Sequence, residues 1–140
     1  MKPFAAAPPA APTVLATFAA LAACLPTLAS AATPQQVAQG YAASAGAAAS
    51  PARGQRLFTT THGREWSCAS CHGEVPVAAG RHARTGKSIE PLAPAANPAR
   101  LTDPARVEKW LRRNCNDVLG RECSNQEKAD VTAWLTGIKP

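Results

Sequence analysis

The sequence is short of the residues that usually build a large hydrophobic core. Its 140 residues include only three tryptophans, three phenylalanines and one tyrosine. A small domain with so few aromatic side chains buries little apolar surface through its own residues. The core that side chains alone can form is therefore expected to be modest.

Other absences restrict the class of function. The formal net charge is +6, but there is no basic run and no nucleic-acid-reading motif, so nucleic acid is not an expected partner. Internal repeats and apolar runs long enough to cross a bilayer are absent beyond residue 31. No segment shows the convincing period-two alternation of a half-buried strand. Helices are therefore the expected elements.

The first 31 residues have the composition of an export signal. Lys2 is the only charge before Arg53, an Ala- and Leu-rich stretch covers about residues 14–23, and small residues at 29–31 offer a cleavage site before Ala32. Cys24, which ends the run Leu-Ala-Ala-Cys, also fits a lipoprotein box, and lipidation there is the less favoured alternative. We predict a signal peptide over 1–31 and one exported, periplasmic domain over 32–140, in a compartment where disulfides form.

Cys68, Cys71 and His72 form the most informative pattern in the chain. Two cysteines three residues apart, followed at once by histidine, are typical of covalent c-type haem attachment. The two sulfurs become thioethers on the haem edge, and His72 is then placed as the proximal iron ligand. A zinc site would need a second suitably spaced ligand pair, and a thioredoxin-like redox pair would need a βαβ setting. We predict one haem c, whose buried surface also offsets the scarcity of aromatic residues.

Capping signals and helical periodicity predict long helices around this motif. They cover about residues 34–45 and 51–59, a third helix that opens at Thr102 or Asp103, and a last helix that Ser124 and Glu127 begin with a capping box. Residues 73–100, rich in Pro, Gly, Ala and Arg, are predicted to be loop. The inward faces are Val107, Trp110 and Leu111 in the third helix and Val131, Trp134, Leu135 and Ile138 in the last.

Cys115 and Cys123 are the cysteines that remain beyond the signal and the haem motif. In an oxidising compartment a disulfide is favoured over two free thiols, and we place both residues in one loop between the last two helices. Closing a loop of about nine residues stabilises the fold by roughly 2–3 kcal/mol in the entropic model.

Methionine is absent after Met1, which is expected to leave with the signal. Small electron-carrying cytochromes c usually bind the iron with a methionine opposite the histidine, and this chain lacks one. The remaining candidates are His62, His82, a lysine, an asparagine such as Asn114, water, or no ligand. Residue chemistry alone does not select Asn114, because an asparagine at the end of a helix is usually a cap.

Over most of residues 32–140 the chain resembles the sphaeroides haem protein family, which consists of oxygen-binding class I cytochromes c. The similarity is densest over residues 84–94 and continues through 103–111, 113–116, 120–123 and 127–135, whereas residues 59–67 depart from the family. The resemblance implies an all-α class I cytochrome c fold. It also implies that Asn114, directly before the first bridge cysteine, is the distal iron ligand, and that Cys115 and Cys123 form the family's disulfide.

The resemblance implies a redox-gated binding site for O2, NO or CO. The Asn114 amide oxygen is a weak, hard donor that tolerates Fe(III) and is displaced on reduction, after which its NH2 group can donate to a diatomic ligand. A reduction potential below that of His/Met cytochromes is expected. The alternative is a simple periplasmic electron carrier with a closed six-coordinate haem. Whether the protein also has enzymatic activity on oxygen or nitric oxide stays open.

The expected partner is a cytochrome that reduces this one, either a dihaem or a membrane-bound b-type cytochrome. After residue 31 the chain has fourteen Lys and Arg against nine Asp and Glu. This balance fits a docking surface for an acidic redox partner, and it equally fits a soluble basic surface. A monomer is the expected state for a domain of this size.

Overall fold

Helices are the main regular elements of residues 31–139, the part of the chain that the computed structural model describes. The expected signal peptide, except its last residue, and Cys24 lie outside this part. The elements are α1 (Pro34–Ala45), α2 (Pro51–Thr59), α3 (Ala69–His72), β1 (Gly80–Arg81), β2 (Ser88–Ile89), α4 (Pro104–Leu119) and α5 (Asn125–Gly137). None of the helices within residues 31–139 combines the length and the apolar character needed to span a bilayer.

Each long helix begins with a capping side chain. The Thr33 hydroxyl accepts a hydrogen bond from the Gln36 backbone N–H, and the Gln36 side chain accepts one from the Thr33 backbone N–H. Helix α1 therefore opens with a capping box. The side chains of Ser50 and Asp103 cap α2 and α4 by each accepting one backbone N–H, without a capping box, and each of these two helices has a proline in its first turn. The predicted capping box at the start of α5 is confirmed, because Ser124 and Glu127 exchange both hydrogen bonds.

Helix α5 lies at the centre of the packing, and α1 and α2 both contact it. The predicted stripe on α5 is confirmed, because Val131, Trp134 and Leu135 are buried and Ile138 packs at the margin of the core. Phe58 of α2 completes the cluster, with its ring centroid 4.9 Å from that of Trp134. This small core of few aromatic residues agrees with the composition.

The crossing of α2 over α5 depends on Gly54. A Cβ atom at this position would collide with the backbone carbonyl oxygen of Asp130, so only glycine allows the two helices to approach so closely. Beside Gly54, the Arg53 guanidinium donates to the Asp130 carboxylate at 2.7 and 2.9 Å.

The structure differs from three expectations. First, the predicted loop 73–100 contains an antiparallel pair in which Gly80 faces Ile89 and Arg81 faces Ser88. Strands of two residues are too short to produce a sequence period.

Second, α4 continues to Leu119, so Cys115 lies inside the helix and only Cys123 lies in the connecting loop. Third, Trp110 is 46% exposed and does not belong to the buried face of α4 that contains Val107.

Candidate haem site

The haem-attachment motif lies on a single helical turn. Cys68 is the N-cap residue of α3, and Cys71 and His72 are in its body. A spacing of three residues places both sulfur atoms on the same side of the turn. Cys68 packs against the core cluster, and the Cys71 sulfur accepts a hydrogen bond from the Ala83 N–H at 3.2 Å. The two thiols are free and partly buried, as covalent attachment to a shared flat group requires.

The environment of these cysteines disfavours the two other uses of the motif. Burial raises the pKa of Cys68 to about 11, whereas reactive redox cysteines have a lowered pKa. Within residues 31–139, no three or more His, Cys, Asp or Glu side chains come together as a metal ion would need. Neither a thioredoxin-like dithiol nor a zinc site is therefore supported.

The surroundings of His72 favour the neutral form of its imidazole. Its ring centroid lies 6.1 Å from that of Phe58. Burial lowers the pKa of His72, and the positive charge of Arg100 lowers it further. Neutral imidazole has the lone pair that an iron ligand needs, so the environment of His72 fits its predicted role.

Arg100 is a charged neighbour of His72 that the sequence analysis did not single out. Its side chain donates to the Pro91 carbonyl at 3.0 Å and forms a long ion pair of 3.5 Å with Glu90. These contacts fix a positive charge near His72. Arg100 lies in an irregular segment, so no helical or strand period marks it in the sequence.

The β1 strand crosses directly over α3. A Cβ atom at Gly80 would collide with the backbone carbonyl oxygen of Cys71, so the close approach of the strand to the turn requires glycine. Ala83, in the turn between the two strands, also donates to the Cys71 sulfur. The hairpin therefore contacts both the backbone and the side chain of Cys71.

Of the candidate distal ligands, the two histidines are engaged locally. His62 is exposed, and its Nε2 lies 2.9 Å from the carbonyl oxygen of Leu57 near the end of α2. His82 is partly buried, and its Nδ1 accepts the Thr85 N–H at 3.2 Å within the hairpin. Each of the two rings therefore already has a hydrogen-bond partner in the neighbouring backbone.

Asn114 lies on α4 in a different environment. It is partly buried and stands three residues after Leu111, which packs against the same core cluster as Cys68. Within residues 31–139 its side-chain amide makes no hydrogen bond, whereas the neighbouring Asn116 donates to the Arg112 carbonyl at 2.8 Å. An amide without an internal partner is available to bind a ligand or a metal.

A disulfide joins Cys115 and Cys123, whose Cα atoms are 5.6 Å apart. Cys115 directly follows Asn114, and Cys123 directly precedes Ser124, the N-cap of α5. Both cysteines are buried. The bond therefore ties the last turn of α4 to the beginning of α5, next to the candidate ligand.

These residues fit a covalently bound haem. Two thiols lie on one face of a turn, a histidine with a lowered pKa follows them, and partly buried apolar side chains pack with Cys68 against the core cluster that contains Phe58. The apolar side chains are Leu57, Leu92, Leu101 and Leu111. Such a set can bind the flat, largely apolar haem and present a nitrogen ligand to its iron.

Helices packed around a Cys-x-x-Cys-His turn define a c-type cytochrome with the class I fold, and the protein carries one covalently bound haem c. A family model described as a domain of unknown function (DUF1924) matches residues 44–135. The chain belongs to this family and, as its sequence indicates, to the sphaeroides haem proteins.

Curated relatives and solved structures support this assignment. The chain is 54% identical over 114 residues to cytochrome c-type protein SHP of Cereibacter sphaeroides, covering 79% of this chain and 88% of that protein. It is 48% identical over 86 residues to cytochrome c'' of Methylophilus methylotrophus, covering 61% of this chain and 60% of that protein.

Two solved structures of related cytochromes share this fold. The structure of oxidised SHP, described as an oxygen-binding cytochrome c, superposes with a TM-score of 0.72 at 51% identity and covers 77% of this chain and 99% of that one. The crystal structure of oxidised cytochrome c'' from Methylophilus methylotrophus gives 0.70 at 35% identity, with 76% and 95% covered. The prediction of a class I cytochrome c fold is confirmed.

Proposed function

We propose that this cytochrome binds small diatomic gases, O2, NO or CO, in its reduced state and transfers electrons in the same cycle. Cys68 and Cys71 would hold the haem, His72 would be the proximal ligand, and Asn114 would be a displaceable distal ligand. The observation that carries the proposal is the partly buried Asn114 amide, which has no internal hydrogen bond within residues 31–139 and lies beside the disulfide.

The chemistry of an amide explains why such a ligand can be displaced. When bound, the haem supplies a one-electron centre and, in its ferrous state, an iron position for a diatomic gas. The Asn114 amide oxygen is neutral, hard and weakly donating, so it suits ferric iron better than ferrous iron. After displacement, the amide NH2 group can donate a hydrogen bond to the incoming gas. Because no partner within residues 31–139 competes for this amide, Asn114 is available for both roles.

The disulfide and the relatives support the same reading. The bond from Cys115 to Cys123 would keep the backbone of Asn114 close to its position while the side chain turns away. The relative SHP is described as an oxygen-binding cytochrome c, and a solution structure of cytochrome c'' is described as giving insight into haem-ligand detachment. We extend both properties to this chain as part of the proposal.

The test is a visible spectrum of the purified holoprotein, reduced with dithionite, with and without CO. We expect a high-spin ferrous spectrum that shifts on addition of CO. A low-spin spectrum that CO leaves unchanged would contradict the proposal and indicate a closed electron carrier.

Three substitutions assign the ligand. Asn114→Ala should change the ferric spectrum and leave the iron open in both oxidation states, and Asn114→Met should suppress the response of the reduced protein to CO. Asn116→Ala is the matched control, because Asn116 is also in α4 but its amide is bonded to Arg112. Asn114 is not the ligand if Asn114→Ala leaves the ferric spectrum unchanged.

We further propose that the protein works in the periplasm. The support is the signal-like composition of residues 1–31 and the disulfide, which persists in oxidising compartments. A mature protein from the periplasmic fraction that begins at Ala32 is the expected result. Lipidation at Cys24 would instead give a membrane-bound protein with a lipid-modified cysteine at its N-terminus.

A further inference from the structure

The Glu108 carboxylate joins three helices. It accepts two hydrogen bonds from the Lys128 ammonium group on α5, at 2.7 and 3.0 Å, and one from the Tyr41 hydroxyl on α1, at 3.0 Å. The Lys128 nitrogen also lies 5.7 Å from the centroid of the Tyr41 ring. Glu108 itself belongs to α4, the helix that contains Asn114. One side chain therefore ties α4 to both α1 and α5.

The burial of Lys128 depends on this ion pair. Its side chain is only 7% exposed, and lysine is almost never so deeply buried unless its charge is paired. The hydrogen bond from Lys128 lowers the pKa of Glu108, and the Tyr41 hydroxyl and the charge of Arg112 lower it further, against the opposite effect of burial. Glu108 is therefore charged at neutral pH, and its contact with Lys128 is a charge-assisted one, which is stronger than a neutral hydrogen bond.

Glu108 lies on the stripe of α4 that faces α5. Glu108, Leu111 and Cys115 follow the spacing i, i+3 and i+7, which places them in one row along the helix. Leu111 packs against the core cluster, most of which belongs to α5. Cys115 is bonded to Cys123, which directly precedes the N-cap of α5. Glu108 and Cys115 are thus two fixed points about 10 Å apart along the axis of α4.

Asn114 lies between these two points in the chain. A helix that is held by one covalent bond can still tilt and turn about that bond, and a second directed contact in the same row restricts both motions. The contact of Leu111 does not replace Glu108, because hydrophobic packing is non-directional. The direction in which the Asn114 amide points therefore depends on Glu108 as well as on the disulfide.

We propose that Glu108 is a positioning residue, which through Lys128 and Tyr41 holds α4 so that the Asn114 amide can bind ferric iron. This inference rests on the proposed function, in which Asn114 is the displaceable distal ligand. An amide oxygen is a weak donor, so a small change in the position of the helix is enough to weaken its bond. Because this ligand suits Fe(III) better than Fe(II), a weaker bond raises the reduction potential.

The first test is the reduction potential of Glu108→Gln, measured on the holoprotein by anaerobic titration with redox mediators. We expect binding of ferric iron by Asn114 to weaken about threefold, which raises the potential by about 28 mV, since a tenfold change corresponds to about 59 mV for one electron. The ferric spectrum should contain more of the form that Asn114→Ala gives. A change in stability alone would alter neither value in the folded protein.

The matched control is Asp117→Asn, which removes the same charge from the same helix. Asp117 is exposed and forms no ion pair within residues 31–139. It stands three residues after Asn114, whereas Glu108 stands six residues before it. We expect the control to change iron binding less than about 1.5-fold, which is about 10 mV. Equal shifts in the two variants would overturn the proposal, because they would mean that the lost charge acts on the haem directly.

Tyr41→Phe separates position from charge in a second way. It removes the hydroxyl that donates to Glu108 but keeps every charge, and it keeps the aromatic ring beside Lys128. We expect a shift in the same direction as that of Glu108→Gln and about half as large, because a neutral hydrogen bond contributes less than a charged one. If Glu108→Gln does not fold, Glu108→Asp, which keeps the carboxylate on a shorter stem, should shift the potential in the same direction. Unchanged potentials in the folded Glu108 and Tyr41 variants would overturn the proposal and leave the network a purely structural role.

The positioning of Asn114 and its role as a ligand fail in different ways. When Asn114→Ala is already present, adding Glu108→Gln should change neither the potential nor the ferric spectrum, because no amide is left to position. A shift as large as in the wild type would overturn the positioning proposal. If Asn114→Ala has its expected effect and Glu108→Gln has none, only the positioning proposal is contradicted. If Asn114→Ala leaves the ferric spectrum unchanged, both proposals are contradicted.

Discussion

The Asp130 carboxylate accepts two hydrogen bonds from the Arg53 guanidinium, at 2.7 and 2.9 Å, and so links α5 to α2. Its oxygens also accept the Ser50 backbone N–H at 2.6 Å and the Gln126 amide at 2.9 Å. Burial by itself would raise the pKa of Asp130, but these hydrogen bonds, led by the one from Arg53, lower it. The first residues of α2 are thus held on α5, while Phe58 later in α2 contacts His72.

Asp130→Asn is expected to destabilise the fold by about 1–3 kcal/mol, because it leaves the arginine without its charged acceptor. The lowered folded-state pKa means that the carboxylate contributes stability above its unfolded pKa, about 3.9, and loses it as pH falls through the folded value. Urea unfolding of the holoprotein at pH 7 and at pH 3 measures both effects. Glu90→Gln, in an exposed and long ion pair, should change the free energy of unfolding by less than about 0.5 kcal/mol.

Gly54→Ala should destabilise the protein by about 1–3 kcal/mol, because its new Cβ would collide with the Asp130 carbonyl. Gly40→Ala is the matched control in α1, where a Cβ meets no atom within 4 Å. There we expect stabilisation of about 0.5–1 kcal/mol from the better helix propensity of alanine. Thermal unfolding of both variants checks the prediction, and a lowered midpoint for Gly40→Ala with an unchanged one for Gly54→Ala would contradict it.

Glu127→Gln should remove part of the acid dependence of stability. The hydrogen bond from Arg121 lowers the pKa of Glu127 to about 2. Its charged form therefore stabilises the fold above the unfolded pKa, about 4.3, and this contribution disappears as pH falls towards 2. Because Arg121 is 57% exposed, solvent screens the pair, and we expect about 0.5–1 kcal/mol at pH 7.

Glutamine at this position keeps the capping box, since its side-chain oxygen can still accept from Ser124. The difference from wild type should therefore shrink towards zero in urea titrations as pH is lowered. A difference that stays constant down to pH 2 would mean that the charge of Glu127 is not responsible.

Replacing both Cys115 and Cys123 by serine should cost about 2–3 kcal/mol, from the entropy of closing a loop of about nine residues. Unfolding by urea measures this cost. Alkylation of the unfolded wild type without reductant should leave these two positions unlabelled in the mass spectrum. Label on both cysteines would mean that they are free thiols in the isolated protein.

The same double variant also tests the tether at Asn114. If the bond keeps the amide near its position, the ferric spectrum of the variant should contain a larger high-spin fraction than that of the wild type. An unchanged spectrum would show that α4 alone positions Asn114.

Local signals in the sequence predicted the helix starts and the inner face of α5. Ser124 and Glu127 lie three residues apart and cap the helix through bonds within its first turn, so the pattern alone is sufficient. The stripe from Val131 to Leu135 was equally readable, because one face of a single helix repeats at a fixed spacing. Covalent haem attachment could be predicted for a similar reason, because Cys68, Cys71 and His72, which would bind the haem, lie on one helical turn.

Contacts between distant segments were decided by the tertiary structure. Cys115 is buried inside α4, and the two-residue strands exist only because Gly80 meets Ile89. Arg100 is placed near His72 by an irregular loop. Trp110 shows the limit most clearly. Helical spacing places it beside Leu111, but whether a side chain is buried depends on which other element covers that flank. The sequence by itself thus determined the helices and the haem-binding turn, and the packing of helices and loops decided which surfaces remain open to a partner.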